Sequence, residues 1–221
     1  RANTQCRGYV DLMPRPEEGR LSAVLYVEYF GASSAEIAER FAALSRAVPG
    51  VARADHTDAT SMAAAWMLRK SGEPLLHGIP GARKPITFIE DNAIPIERLS
   101  EFVRELRAIV ASHGTRAAYY AHASVGVLHV RPLLDVHDDA DLARMRAIAV
   151  EAADLARCLG GVMSGEHGDG RVRTPLLERH FGPDLMRAFA DVKRAFDPAN
   201  LLNPGKIVQI GEGPVRTLPT M

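Results

Sequence analysis

Two amphipathic helices enclosing a pair of short strands constrain this chain more than any other feature of its sequence. From Pro95 onward, Ile96, Leu99, Phe102, Val103, Leu106, Ile109 and Val110 fall on one helical face, and Gly114 closes the run. Strand-like segments follow at about 116–122 and 127–131. A second helical face then carries Leu142, Met145, Ala149, Ala152, Ala156 and Leu159, closed by Gly160. The two strand segments are too close in sequence for anything but a hairpin, so this part of the sheet is antiparallel.

Similar patterns extend in both directions. Residues 23–29 (AVLYVEY) read as a strand, and Ser33 or Ser34 caps a helix through Val48 that Pro49-Gly50 ends. A short strand is expected at Val51–Asp55. Asp58 or Thr60 then caps a helix running through Trp66 to about Lys70, stopped by Gly72 and Pro74. Residues 71–84, with three Gly and two Pro, form a long loop before a strand at Ile86–Ile89. Residues 174–195 are helical, and Asp197-Pro198 ends them. The order predicts an α+β fold: a mostly antiparallel sheet of two ferredoxin-like halves, helices packed on one face, and a C-terminal helical segment. The expected divisions are a leader at 1–20, an α+β cap or substrate-binding domain at 21–173, and a helical segment and tail at 174–221.

Composition removes several classes of function. Lys plus Arg equals Asp plus Glu, 27 against 27, so no net field draws the protein to nucleic acid or anionic lipid. No apolar run approaches the roughly 20 residues of a transmembrane helix, and no secretory signal opens the chain. Cys6 and Cys158 are too few for a disulfide framework, which points to a reducing, cytoplasmic location, at most peripheral to a membrane. The first residue, Arg1, reads as the start of a fragment or processed product.

The chemistry-bearing residues lie in the hairpin and just beyond the second helix. His122 and His129 belong to AHASVGVLH, where their odd spacing would put them on opposite faces of one straight strand. A tight turn at Val125-Gly126 brings them together instead. His122 then opposes His129, Tyr120 opposes Arg131, and opposed Cβ atoms stand about 5 Å apart on one face. Two such imidazoles can share a metal, and they can equally be half-buried hairpin histidines with no common task. Beyond the second helix, GEHGDG holds Glu166 and His167 between glycines that let the backbone turn sharply. A carboxylate can complete a two-histidine metal site, and a neighbouring imidazole can act as general base. His56, His77, His113, His137 and His180 read as solvated or capping groups, Trp66 as a packing residue, and Cys158 as unactivated. The Arg83-Lys84 pair is either solvated loop charge or a carboxylate-binding element.

AHASVGVLH, SGEHGDG and FDPANLLNPGKIV, in this order and spacing, resemble the C-terminal part of the FAD-linked oxidases, over roughly residues 21–208. Members of that family oxidise D-2-hydroxy acids such as lactate, glycolate or 2-hydroxyglutarate. The resemblance implies that His122, His129 and Glu166 hold a divalent metal, Zn or Mn, and that His167 is the catalytic base. It implies that Arg69 binds the substrate carboxylate and that Asn203, in the NPGK stretch that returns to the flavin domain, is a cofactor-binding residue. Arg131, at a polar position of the family and on the His129 face, is expected to bind the substrate carboxylate with Arg69. That FAD-binding domain lies N-terminal to the residues seen here, so the fragment alone is expected to be inactive. Electrons would pass to a quinone, cytochrome, flavoprotein or iron–sulfur domain. The hairpin departs from the family's usual GHxGDGNxH, with Ala121, Ser124, Val125 and Val127 in place of Gly, Gly, Asp and Asn. A family lysine is absent at Ile89, leaving Lys84 as the nearest basic residue for substrate binding. These departures leave the identity of the acid open. The rival readings are a metal-dependent hydrolase using the same His, His, Glu set and a binding module without catalysis.

Overall fold

The computed structural model describes residues 13–14 and 23–217, so most of the expected leader lies outside the described residues. The chain divides into two compact units at Gly78/Ile79.

In the first unit, helix α1 spans Ser34–Ala47 and α2 spans Ala59–Leu76. Ser33 caps α1, its hydroxyl accepting the Glu36 N–H at 3.2 Å, while the Glu36 carboxylate reaches back to the Ala32 N–H at 2.9 Å. Asp58 caps α2 through the Ser61 N–H at 2.9 Å. Helix α2 continues past the expected stop at Gly72 and Pro74. One glycine costs only about 1 kcal/mol, and a proline this close to the end removes a single hydrogen bond. The strands expected at 23–29 and 51–55 form no ladder among the described residues, and Leu25 and Phe30 are about three-quarters exposed. β-Branched and aromatic residues favour strand, but a strand exists only where a partner completes its hydrogen bonds. Tyr26 packs at 6.0 Å from the half-buried ring of Trp66, and Tyr29 at 5.8 Å from Phe41.

The second unit holds strands β1 (Lys84–Pro85), β2 (Asn92–Ala93), β3 (Ala117–His122) and β4 (Val127–Leu134). Its helices are α3 (Leu99–Ser112), α4 (Asp139–Cys158), the short α5 (Gly170–Arg173) and α6 (Leu177–Phe196). β1 and β2 lie along one edge of β4 and β3 along the other, all antiparallel, and Val162 bridges to the outer side of Ala93. This is one complete β-α-β-β-α-β ferredoxin-like half, and it establishes the α+β class with an antiparallel sheet. The strand expected at Ile86–Ile89 is displaced to its two ends. Phe88 and Ile89 are both buried, and two consecutive buried residues break the strand alternation, so the chain leaves the ladder between β1 and β2.

Helices α3 and α4 pack on each other through Phe102, Leu106, Val110, Ile148, Ala152 and Ala156, and Leu128, Val130 and Leu134 of β4 join the same core. Alternation along β4 turns His129 and Arg131 to the opposite face. Leu176 and Leu177 are buried in this core too, which ties the start of the C-terminal helical segment to the sheet domain.

The hairpin register corrects the expected one. His122 opposes Val127, Tyr120 opposes His129, and Ala118 opposes Arg131. The connection is a 3-10 turn over Ala123–Val125 followed by Gly126 at φ 73°, not a two-residue turn at Val125-Gly126. Gly126 lies so close to the neighbouring chain that a Cβ there would stand 2.0 Å from the Ile94 carbonyl oxygen. The offset is two residues, an even number, so every side chain keeps its expected face.

Candidate metal and catalytic site

The outer face of the hairpin carries Tyr120, His122 and His129 as neighbours. The ring centres of His122 and His129 are 5.3 Å apart, and Tyr120 lies 5.8 Å from the first and 5.9 Å from the second. His122 is thus a diagonal neighbour of His129 across the ladder and not its opposed partner.

The Glu166–His167 segment is held against this face from below by Asp91, which is fully buried immediately before β2 with φ 74°. Its carboxylate accepts the Ser164 hydroxyl at 2.5 Å, the Glu166 N–H at 3.1 Å and the His167 N–H at 2.8 Å. Burial pushes the Asp91 carboxyl up, but the Ser164 hydroxyl and the two backbone N–H groups outweigh it and hold the group below the usual carboxylate range. The Gly165 N–H donates to the Asp91 carbonyl at 2.7 Å, and a side chain at Gly165 would press on Ala93 and Val127. Arg173, itself buried, donates to the carbonyls of Glu90, Met163 (3.3 Å) and Gly168 (2.5 Å), closing the loop from the other side.

Both arms meet at one carboxylate oxygen. Glu166 Oε1 lies 3.2 Å from His129 Nε2, 3.5 Å from His167 Nε2 and 3.8 Å from His122 Nε2. Donors bound at about 2.0–2.2 Å around a tetrahedral ion stand roughly 3.3–3.6 Å from one another, so these spacings fit a divalent cation. Asp91, His129, Glu166 and His167 each present a donor atom within 4.8 Å of the others. The Asp91 oxygens are already occupied by hydrogen bonds, which makes Asp91 the scaffold of the cluster. Of the expected trio, His129 and Glu166 fall within the tight group and His122 stands at its solvent edge. Burial of His129 holds its imidazole below the ordinary histidine range, favouring the neutral form that ligates metal. Its Nδ1 is buried with no hydrogen-bond partner among the described residues, so Nε2 is the nitrogen that faces the cluster.

Four further residues were expected to serve the site. Arg131 shares the His129 face, and its Nε donates to Glu90 Oε2 at 3.1 Å. Lys84 pairs with Leu134 at the far end of β4, about 17 Å along the strand from His129, and its ammonium donates to the Ile79 carbonyl at 2.6 Å. Arg69 belongs to α2 of the other unit, with its guanidinium 5.5 Å from the centre of the Trp66 ring. Asn203, at φ 48°, shares a concave surface with Phe189, Val192, Leu202 and Ile207, of which the last three are exposed. Glu90, Asp91 and Arg173 were not anticipated from the sequence. The available signal was two adjacent carboxylates, Glu90-Asp91, directly after the apolar strand segment expected at Ile86–Ile89.

The family model for the C-terminal domain of FAD-linked oxidases matches residues 6–207. The chain belongs to the FAD-linked oxidase family. Among relatives, a D-2-hydroxyglutarate dehydrogenase of Haemophilus influenzae is 34% identical over 206 residues, which is 89% of this chain and 20% of that protein. The Escherichia coli protein of the same name is 42% identical over 142 residues, 64% of this chain and 14% of its own length. A D-lactate dehydrogenase of Archaeoglobus fulgidus is 34% identical over 129 residues, 58% of this chain and 28% of its own. This FAD-linked oxidase domain therefore spans about a fifth of the length of the first of these relatives.

Proposed function

We propose that this chain is the substrate-side domain of an FAD-dependent dehydrogenase that oxidises a D-2-hydroxy acid. The convergence of three imidazole nitrogens on the Glu166 carboxylate, within a domain of this family, carries the reading. His122, His129 and Glu166 would hold the divalent ion, Zn or Mn, whose charge lowers the pKa of a substrate hydroxyl. FAD, on a separate domain, would accept the hydride.

The chain's own residues do the rest. His129 stays neutral through burial. His167, half exposed beside the cluster, takes the hydroxyl proton at Nε2. Arg69 grips the substrate carboxylate with its planar fork, which fixes the direction of the Cα–H bond. The exposed apolar residues around Asn203 suit a surface that the flavin domain covers. The electron acceptor is a quinone, a cytochrome, a flavoprotein or an iron–sulfur domain. Among the described residues no helix is long and apolar enough to cross a membrane.

The relatives that cover most of this chain are named for D-2-hydroxyglutarate, which makes it the first acid to assay. Full-length protein carrying FAD and metal should reduce an artificial dye with one of D-2-hydroxyglutarate, D-lactate or glycolate. Absence of flavin reduction by every 2-hydroxy acid, with flavin and metal both at stoichiometry, would overturn the proposal. So would turnover of esters or phosphoesters by flavin-free protein.

A further inference from the structure

A nearly buried ion pair stands directly behind the proposed base. Glu90 and Arg131 are each about one-seventh exposed, and their side chains meet at 3.1 Å between Nε and Oε2. The other Glu90 oxygen, Oε1, lies 3.6 Å from His167 Nδ1. The carboxylate is therefore divided between a guanidinium on one side and the far nitrogen of an imidazole on the other. The near nitrogen, Nε2, faces Glu166 and the metal cluster.

Every part of this chain is anchored by something else. Arg131 is fixed on β4, two residues from His129. The Glu90 backbone carbonyl accepts from buried Arg173, and the next residue, Asp91, holds the His167 N–H at 2.8 Å. The His167 ring is stacked on His129, with centres 5.1 Å apart and planes 17° from parallel. Little freedom remains except rotation of the His167 ring and small shifts of the Glu90 carboxyl.

We infer that Glu90 is a positioning residue for His167, and that Arg131 acts through Glu90 and not on the substrate. The inference rests on the proposed 2-hydroxy-acid chemistry and adds the origin of the base's orientation. A carboxylate at Nδ1 keeps the proton on that nitrogen, so Nε2 carries the lone pair that must face the substrate hydroxyl. At 3.6 Å the contact is longer than a hydrogen bond, and contacts of this type tighten when substrate closes the site. Arg131 cannot leave Glu90 for a substrate carboxylate without stranding a nearly buried charge, which is costly. Its place in the pair also accounts for a basic residue so close to a cluster of metal-binding imidazoles, where an uncompensated cation would repel the ion.

The test uses full-length enzyme loaded with FAD and metal. Glu90→Gln should lower kcat about 100-fold while KM for the acid changes less than threefold and metal content is unchanged. Glu90→Asp should recover a large part of the lost kcat. Arg131→Gln should show the same kcat loss at constant KM, and the double variant should be no worse than Glu90→Gln alone, since both act on one contact. Thermal melts identify any variant that fails to fold, and Glu90→Asp and Arg131→Lys then serve in its place. Wild-type kcat in Glu90→Gln, or a tenfold rise in KM with full kcat in Arg131→Gln, overturns the inference. Wild-type enzyme that reduces its flavin with no 2-hydroxy acid shows instead that the functional reading is wrong, and the inference falls with it.

Discussion

The carboxylate of Asp91 accepts the backbone N–H of His167 at 2.8 Å, so a buried acid just ahead of β2 sets the height of the proposed base on a separate loop. The same carboxylate takes the Glu166 N–H and the Ser164 hydroxyl, which makes it the common support of the metal-binding and proton-transfer residues. Asp91 has a left-handed backbone, a conformation uncommon outside glycine, asparagine and aspartate, and its carboxylate accepts hydrogen bonds from the loop.

Asp91→Ala should destabilise the domain by at least about 2 kcal/mol, because two backbone N–H groups and a hydroxyl lose their acceptor in a buried place. Asp91→Asn tolerates the same backbone but offers one acceptor oxygen, so its loss should be smaller. Urea unfolding of both variants, with metal titration on each, checks the order. Equal stability in all three proteins would remove Asp91 as the support.

Gly126→Ala should also cost at least about 2 kcal/mol. The left-handed backbone alone costs roughly 1–2 kcal/mol, and the new Cβ would lie 2.0 Å from the Ile94 carbonyl oxygen. A melt matching the wild type would mean that the hairpin has a different turn.

The face shared by His122 and His129 was legible in the sequence, but their register was not. A two-residue offset leaves every side chain on its own face, so periodicity alone cannot detect it. What set the register is the packing of Gly126 against Ile94, a contact between segments more than thirty residues apart. The faces of α3 and α4 were legible because their apolar residues recur at helical spacing along a single run. Glu90 and Arg131 show the opposite case. Arg131 was expected on the His129 face as a substrate-binding residue and Glu90 was not anticipated, and only the fold brings the two to within 3.1 Å. The strands expected at 23–29 and 51–55 show how far local preference reaches, since it names residues fit for a ladder without supplying the partner.

Acid should loosen the C-terminal segment through Asp197. Its carboxylate accepts the Leu201 and Leu202 N–H groups at 2.9 and 2.8 Å and the Lys193 ammonium. The Lys193 contact first, aided by the two backbone bonds, lowers its pKa to about 2. A carboxyl depressed on folding contributes stability that is fully present above the unfolded value of about 3.9 and lost as pH falls through about 2. Asp197→Asn should therefore be less stable than wild type at pH 7, with the gap closing between about pH 4 and pH 2. Denaturation curves at stepped pH measure this, and a gap independent of pH would assign the effect to shape and not to charge.

Arg69→Lys in the full-length enzyme should reduce kcat/KM for the acid at least tenfold, because an ammonium cannot reproduce the two parallel hydrogen bonds of a guanidinium. Arg69 also lies 5.5 Å from the Trp66 ring centre, a placement that restricts the guanidinium plane. Unchanged kinetics across several 2-hydroxy acids would take Arg69 out of the site.

The metal cluster gives the sharpest division of roles. Removing a ligand should weaken divalent binding by at least an order of magnitude, as measured by calorimetry and elemental analysis on His122→Ala, His129→Ala and Glu166→Gln. The loss should be greater for His129, whose Nε2 is 3.2 Å from Glu166 Oε1, than for His122 at 3.8 Å on the solvent edge. His167→Ala should bind metal nearly as well as wild type if its task is proton transfer. Its Nε2 is only 3.5 Å from the same oxygen, however, so geometry alone leaves His167 able to ligate. A loss at His167 equal to that at Glu166 would make it a fourth ligand and require another base. Acidification supplies an independent check, because imidazoles must be neutral to bind a cation. Burial holds His129 below the ordinary histidine range, so it stays able to ligate as pH falls through the range where a free imidazole protonates. Metal binding by His122→Ala, in which His129 remains as a ligand, should therefore persist as pH falls through that range.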